Sequence, residues 1–348
     1  MDENIFNGLM DDIIKRYNSL SMEEKIKLFE KSGIKVSEED IRKYKPNMQY
    51  NYKMLKKRVI DCLNDTDLDV INRKLGKINN STITSGVGGS SVVSLFASKV
   101  LEKKNNIICK NTTLRDLNYI NMDNYTNLLI CSYGGTNYGV KNALESDLNK
   151  YLLSKNKIDG INNITYNVNE DEISFISLAA TLIPMSILLE YYLDKDTSLI
   201  KEILSDDQTP DVKSASTFEV LSGIETSTAH TFLESTFIES GIANIIIHDK
   251  YDYCHGRSNL NYFNKNNSII LFNNNTELDK LFLEELQNYY ENIYVFDKKY
   301  EDDLVNDYYL TYKSMLFAKK LAEKKNMELS NIKYCPFVKK LYKYNGGM

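Results

Sequence analysis

A repeated order of strand, glycine-rich turn and helix is the feature that most constrains how this 348-residue chain can fold. It first occurs where a short strand pattern at 80–85 runs into the turn 86–91 and then into a helical pattern. It occurs again where the apolar segment Asn127–Cys131 runs into the turn 132–136. Strands that alternate with helices pair in parallel through crossover connections. The order therefore predicts an α/β fold with mostly parallel sheets.

The same order returns after a polar segment, 206–215, that contains Pro210. A strand is predicted over 217–221 and a helix over 227–239, whereas the start of the chain shows helical periodicity without strong strand signals. We therefore predict two three-layer α/β/α subdomains that follow a helical leader. The predicted bounds are 1–75 for the leader, 76–208 for the first subdomain and 209–348 for the second with its C-terminal tail. Further elements predicted in the first subdomain are a helix over 137–153, a strand over 161–168 and a helix over 174–193.

Composition excludes several classes of protein. The net charge of −5 argues against a nucleic-acid partner, because such proteins are usually basic. Five scattered cysteines without a CxxC pair argue against zinc ribbons and predict reduced thiols in a cytoplasmic protein. The longest apolar run, 173–189, is interrupted by Pro184 and several hydroxyl residues, so we predict a buried helix and no membrane span.

The first glycine turn has the composition of an anion site. Gly88 and Gly89 let the backbone approach a ligand, and the following helix offers its N-terminal N–H groups. Ser90 and Ser91 add hydroxyl donors. A dinucleotide fingerprint would need a third glycine at Ser91 and an acidic residue about twenty positions later, and a phosphate-binding P-loop would need Gly-Lys-Ser/Thr. Neither pattern is present, which leaves a tight turn without a ligand as the alternative.

The second glycine turn strengthens the prediction of an anion site. Ser132, Tyr133 and Thr136 surround two glycines between a strand and a helix. If the two strands are parallel neighbours, both turns lie at the carboxyl edge of one sheet, where α/β proteins bind ligands. Hydroxyls and backbone amides would then hold a phosphate group.

These two turns resemble the phosphosugar loops of the sugar isomerase (SIS) domain family. The likeness is greatest to bifunctional phosphoglucose/phosphomannose isomerases and extends to the isomerase domain of glucosamine-6-phosphate synthase. The family's second loop reads roughly Ser-x-Ser-Gly-x-Thr, and Gly134 and Thr136 match it. Cys131 and Tyr133 stand where the family has serines, unless Ser132 is a shifted equivalent.

A glutamate and a histidine supply the catalytic prediction. Aldose–ketose isomerisation needs a base to move a proton between C1 and C2 and a second group to open the ring. Glu239 and His255 have the sixteen-residue offset of the base and the ring-opening histidine in the SIS enzymes named above. Arg257 could clamp an acidic group of the substrate, and Glu234 is the rival base. The resemblance also implies a homodimer, because the family histidine serves the partner's active site.

The resemblance implies an isomerase for sugar phosphates or acidic sugars that uses no metal and no cofactor. Lys340, or its neighbour Lys339, would be the counterpart of a sugar-contacting lysine in the family's C-terminal tail. A basic, solvated tail is the alternative for these lysines. Two other functions stay open at this point. One is a non-catalytic phosphosugar sensor with the same fold, and the other is an enzyme that processes nucleotides or nucleosides.

Overall fold

The computed structural model describes residues 22–31, 33, 35–37, 46–135, 138–263 and 267–332. The described α-helices of five or more residues are α1 (Met22–Lys31), α2 (Met48–Asp65), α3 (Leu68–Leu75), α4 (Gly89–Asn105), α5 (Tyr138–Leu144), α6 (Ala179–Tyr192), α7 (Ser198–Ser205), α8 (Ser227–Ser240), α9 (Asn259–Phe263), α10 (Glu277–Leu286) and α11 (Asp303–Lys324). The strands are β1 (Thr82–Gly86), β2 (Cys109–Thr113), β3 (Asn127–Cys131), β4 (Asn149–Ser154), β5 (Asn162–Thr165), β6 (Thr217–Ser222), β7 (Asn244–Asp249), β8 (Ser268–Asn273) and β9 (Ile293–Asp297).

Two parallel sheets form the framework. The first has the strand order β2-β1-β3-β4-β5 and the second the order β7-β6-β8-β9. Every strand pair in both sheets is parallel. Strands β1, β3 and β8 are buried along their whole length, as expected for central strands covered by helices on both faces. The predicted α/β class with parallel sheets is confirmed.

One continuous apolar core connects the helices of both halves. It contains Phe96 of α4, Phe218 of β6 and Phe317 of α11, all with no exposed surface. The ring centroid of Phe317 lies 6.0 Å from that of Phe218 and 6.4 Å from that of Phe237 on α8. Helix α11, near the end of the described chain, also packs against α4 and α6. It therefore contacts helices of both halves.

The predicted helix over 137–153 is wrong in its second half. Helix α5 ends at Leu144, and β4 (Asn149–Ser154) pairs in parallel with both β3 and β5. Leu152 and Leu153 are consecutive and both fully or almost fully buried, on opposite faces of the sheet. A short apolar run does not distinguish a buried strand from a helix, and here the pairing of neighbouring strands decides.

The N-terminal part of the described chain is helical, as predicted. Helix α2 packs against α6, and its Tyr52 hydroxyl donates to the carbonyl of Met315 on α11 at 2.9 Å. The predicted domain bounds at residues 75 and 208 stay predictions. Among the described helices, none combines the length and the apolar character that a membrane crossing requires.

Candidate functional site

The two glycine turns leave the first sheet side by side. Strands β1 and β3 are parallel neighbours, and Ser85 stands opposite Ile130 in their register. The next residues, Gly86 and Cys131, therefore bring both turns to the same carboxyl edge. This is the edge at which open α/β sheets bind ligands.

The first turn requires glycine and presents an uncapped helix. A Cβ at Gly86 would lie 2.1 Å from the carbonyl oxygen of Ser90, and Gly88 has a φ of +60°. The 17-residue helix α4 begins at Gly89, and its N-cap, Gly88, supplies no side-chain hydrogen bond. The Ser91 hydroxyl donates to the Gly88 carbonyl at 2.7 Å. The N–H groups and the dipole at the start of α4 favour an anion.

A segment that the sequence analysis did not select forms a wall of the first turn. A Cβ at Gly89 would lie 2.6 Å from the Cβ of Ser177 and 2.8 Å from the hydroxyl of Thr181. The Glu172 carboxylate accepts hydrogen bonds from the N–H groups of Leu178 at 3.2 Å and Ala180 at 3.0 Å. Burial raises the pKa of Glu172, and these hydrogen bonds oppose the rise. The sequence predicted a helix over 174–193 and therefore gave no indication of this wall. In the structure α6 begins only at Ala179, and the residues before it are not helical.

The second turn is stabilised by its own side chains. The Ser132 hydroxyl is buried and accepts a hydrogen bond from the N–H of Gly135 at 3.1 Å. The Tyr133 hydroxyl donates to Asp171 at 3.2 Å, and Lys155 lies 5.0 Å from the centre of its ring. Burial raises the pKa of Tyr133, and Asp171 raises it further. Tyr133 is therefore held as a neutral phenol beside a carboxylate. Thr136 lies outside the described residues.

Glu239 lies on the exposed side of the last turn of α8. Its carboxylate accepts a hydrogen bond from the Ser235 hydroxyl at 2.7 Å. The rival base, Glu234, is exposed on the same helix. Among the described contacts, none joins either carboxylate to a glycine turn, so the structure does not by itself select the base.

His255 lies in an exposed π-helical turn, Tyr253–Arg257, that follows β7. The backbone kinks there, with Gly256 at a φ of +105°. Arg257 is half-exposed and lies 3.4 Å from Asp252. Large apolar side chains are also exposed in this part of the chain, and they are Tyr251 (72%), Leu260 (41%), Tyr262 (58%) and Phe263 (79%). Lys339 and Lys340 lie outside the described residues.

A half-buried histidine supports the glycine turn of the second sheet. The Ser222 hydroxyl lies 2.7 Å from Nδ1 of His230 and 2.7 Å from the Thr226 hydroxyl. Burial lowers the pKa of His230 to about 4, with a further contribution from Lys99. The imidazole is therefore neutral at physiological pH and ties α8 to the end of β6.

Buried charges fix the start of α8. Asp307 of α11 has no exposed surface, and its carboxylate lies 2.5 Å from Nζ of Lys99 on α4. The same carboxylate accepts hydrogen bonds from the N–H groups of Thr228 at 3.3 Å and Ala229 at 3.1 Å. Within the part of the chain that the structure describes, no group of three or more His, Cys, Asp or Glu residues is placed to hold a metal ion.

Comparison with solved structures identifies the fold as that of the sugar isomerase domain, which confirms the predicted resemblance at the level of the fold. The C-terminal domain of glucosamine-fructose-6-phosphate aminotransferase from Francisella tularensis superposes with a TM-score of 0.62 at 13% identity, covering 83% of this chain and 99% of that one. Tagatose-6-phosphate ketose/aldose isomerase from Escherichia coli gives a TM-score of 0.66 at 12% identity, covering 82% and 96%. Glucosamine-6-phosphate deaminase from Thermotoga maritima gives 0.62 at 15% identity, covering 80% and 97%. In sequence, neither a family model nor a curated protein matches the chain.

Proposed function

We propose that this protein binds a sugar phosphate at its two glycine turns and interconverts the aldose and ketose forms. The observation that carries the proposal is the pairing of both turns at the carboxyl edge of neighbouring strands. The uncapped start of α4 beside them supports it, because an anion can accept hydrogen bonds from that helix end. The solved structures with this fold include that of tagatose-6-phosphate ketose/aldose isomerase from Escherichia coli.

In this proposal the phosphate is held mainly by backbone amides. The N–H groups of Gly88 and Gly89 open α4, and the hydroxyls of Ser90, Ser91, Ser132 and Thr136 surround the bound anion. The Ser91 and Ser132 hydroxyls already make hydrogen bonds inside their turns, so they also keep the turns in a shape that fits the phosphate. The edge of the second turn, with Tyr133, would contact the sugar rather than the phosphate.

The proton transfer is assigned to Glu239 and the ring opening to His255. Glu239 would take the proton from C2 of the open-chain aldose and return it to C1, passing through an enediol. His255 would protonate the ring oxygen as the ring opens, and Arg257 would hold an acidic group. Lys340 would reach the sugar from the C-terminal tail.

His255 would act in the site of a second copy of the chain. The exposed apolar side chains around it, Tyr251, Tyr262 and Phe263, support a protein interface at this surface. A homodimer through this surface would bury these side chains and carry His255 toward the partner's glycine turns. Light scattering at micromolar concentration tests this part, and a monomer would contradict it.

A non-catalytic sugar phosphate sensor is the second candidate, favoured by the composition of the second turn. Tyr133 stands where the family pattern has a serine, and its hydroxyl is bonded to Asp171. The nearby cation, Lys155, is paired with Asp171 at 2.5 Å, so it offers no free positive charge to the phosphate. Both features fit a site that keeps binding and loses turnover.

Exchange of solvent deuterium into C2 of the aldose, or into C1 of the ketose, distinguishes the two candidates. Wild-type protein is incubated with fructose, glucose or mannose 6-phosphate in D₂O, and exchange is followed by proton NMR. Glu239→Gln keeps the shape of the side chain but removes the base, so exchange should fall roughly 10²–10⁴-fold. Glu234→Gln is the matched control, because it makes the same change on the same exposed helix.

Full exchange by Glu239→Gln together with loss in Glu234→Gln would move the base to Glu234. Saturable binding of a sugar phosphate by wild type, without exchange, would favour the sensor. Absence of both binding and exchange would contradict sugar phosphates as ligands.

A further inference from the structure

A second concave site lies between helices α2 and α11. It has a volume of about 700 Å³ and ends at the segment that follows α7, at Asp207 and Thr209. This volume is within the range of small-molecule sites, roughly 300–1,000 Å³. None of the described residues that line it belongs to either glycine turn. We call it the lysine groove, after Lys53 and Lys56 of α2 and Lys319 and Lys320 of α11.

The two walls of the lysine groove are held at a fixed separation. At one end, the side-chain amide of Gln49 donates to Glu323 at 2.7 Å. At the other end, Lys56 lies 2.8 Å from Asp207, and the Tyr312 hydroxyl donates to the same carboxylate at 2.8 Å. The groove is therefore formed in the free protein, and a ligand would not have to separate the helices.

The lysine groove is positive in a chain that is negative overall. Four lysines and two carboxylates, Asp207 and Glu323, line it, which leaves an excess of two positive charges. The whole chain carries a net charge of −5. Lys56 and Lys319 lie beside the two carboxylates, at 2.8 Å and 3.7 Å, so Lys53 and Lys320 supply the excess. Lys320 donates to the Thr209 carbonyl at 2.8 Å, which leaves its charge uncompensated, and it lies 3.3 Å from Asp211, a fully exposed carboxylate with which it forms only a weak pair.

The charges are spread along the groove rather than gathered at one point. Lys53 and Lys56 are one helical turn apart, about 4.5 Å along the axis of α2. Lys319 and Lys320 face them from α11. Lys319 also lies over the ring of Tyr52, 5.7 Å from its centre, which fixes the position of its ammonium. Charges placed on both walls of a groove suit an extended chain of phosphates better than a single phosphate group.

We propose that the lysine groove binds a small molecule with a polyphosphate chain, either a nucleoside triphosphate or inorganic polyphosphate. The phosphates lie between the ammonium groups of α2 and α11, and Leu316 offers apolar contact to any base or sugar that is attached. Such a ligand bridges the N-terminal helix α2 and the helix α11, which contacts α4, α6 and α8. Binding therefore stabilises the packing that supports both sheets.

Isothermal titration calorimetry on the full chain tests this inference. Inorganic tripolyphosphate, ATP and adenosine are titrated separately at a fixed salt concentration. We expect saturable binding of tripolyphosphate and ATP that weakens as salt is raised, because the contacts are ionic. Equal affinities would identify the polyphosphate chain as the whole ligand, and tighter ATP binding would add the nucleoside. Binding of adenosine equal to that of ATP, or no binding of either phosphate ligand, would overturn the proposal.

Charge reversal locates the site. Lys53 is exposed, so Lys53→Glu should leave folding intact and weaken tripolyphosphate binding about tenfold or more. Lys280→Glu is the matched control, since it makes the same change on the exposed surface of α10 and should change binding less than about twofold. Equal effects of the two variants would show nonspecific attraction and overturn the assignment. Displacement of tripolyphosphate by fructose 6-phosphate would place it at the glycine turns and would also overturn it.

Discussion

Acid should destabilise this protein through His230, the half-buried histidine beside the second sheet's glycine turn. Burial, with a further contribution from Lys99, lowers its pKa from 6.5 to about 4 in the folded state. In the unfolded chain the imidazole returns to its ordinary pKa. The unfolded state therefore binds a proton more readily than the folded state does. The stability is fully present above the pKa of the unfolded state and is lost as the pH falls toward the pKa of the folded state.

The size of the effect follows from the two pKa values. Between about pH 8 and about pH 5, linkage predicts a loss of about 2 kcal/mol in the free energy of unfolding, and about 3 kcal/mol by about pH 4. This is a large share of the roughly 5–15 kcal/mol that stabilises an ordinary domain. Nδ1 of the imidazole lies 2.7 Å from the Ser222 hydroxyl, and once the ring is protonated this nitrogen can only donate in that hydrogen bond.

Urea denaturation at a series of pH values measures this loss. Other groups also titrate, so the test is the difference between wild type and His230→Asn, whose side-chain oxygen can accept from Ser222 without titrating near neutral pH. Between about pH 8 and about pH 5, the free energy of unfolding should fall by about 2 kcal/mol more in wild type than in His230→Asn. His255→Asn changes an exposed histidine and serves as control. Parallel pH curves for wild type and His230→Asn would refute the reasoning.

Three further substitutions, the first with a matched control, test the framework of the fold and site by denaturant unfolding. Asp307→Ala should cost about 3–5 kcal/mol because it leaves Lys99 without its buried partner, whereas Asp303→Ala, at a half-exposed pair, should cost less than about 1 kcal/mol. Phe317→Ala should cost about 3–5 kcal/mol, since its ring is fully buried among other aromatic rings, and a cost below about 1 kcal/mol would contradict that packing. Gly88→Ala meets no atom within 4 Å, so its expected cost of about 1–2 kcal/mol comes from the positive φ alone, and unchanged stability would contradict the turn geometry.

The sequence predicted the elements whose signal is local. Strand β3 has the predicted bounds because its apolar run is short and ends at a glycine turn. Helix α8 begins at Ser227 as predicted and extends one residue further, to Ser240. The order of strands and helices was sufficient to predict parallel pairing, because crossovers impose it. Strand β4 was missed because its burial depends on two neighbours that are distant in sequence.

In the candidate site, too, the sequence predicted only the parts whose signal is local. Glycine turns have a signature in a few consecutive residues, and the structure places both turns at one sheet edge. The wall formed by Glu172 and Ser177 has no such signature, because its contact with Gly89 arises only when α6 packs on α4. The pairing of His230 with Ser222 likewise depends on how α8 docks against β6. The roles of Glu239 and His255 rest on spacing and stay predictions.

In the proposed function the two glycine turns hold the phosphate of a sugar phosphate, and glycine amide resonances report on these turns directly. Selective ¹⁵N-glycine labelling gives a spectrum from 15 glycines, which site-directed substitution can assign. On titration with fructose 6-phosphate, we expect saturable shifts of the amide resonances of Gly88, Gly89 and Gly135, while those of Gly160 and Gly241 stay unmoved. Unphosphorylated fructose should not produce these shifts. Unmoved amides in both turns, or equal shifts with both sugars, would contradict the proposed function.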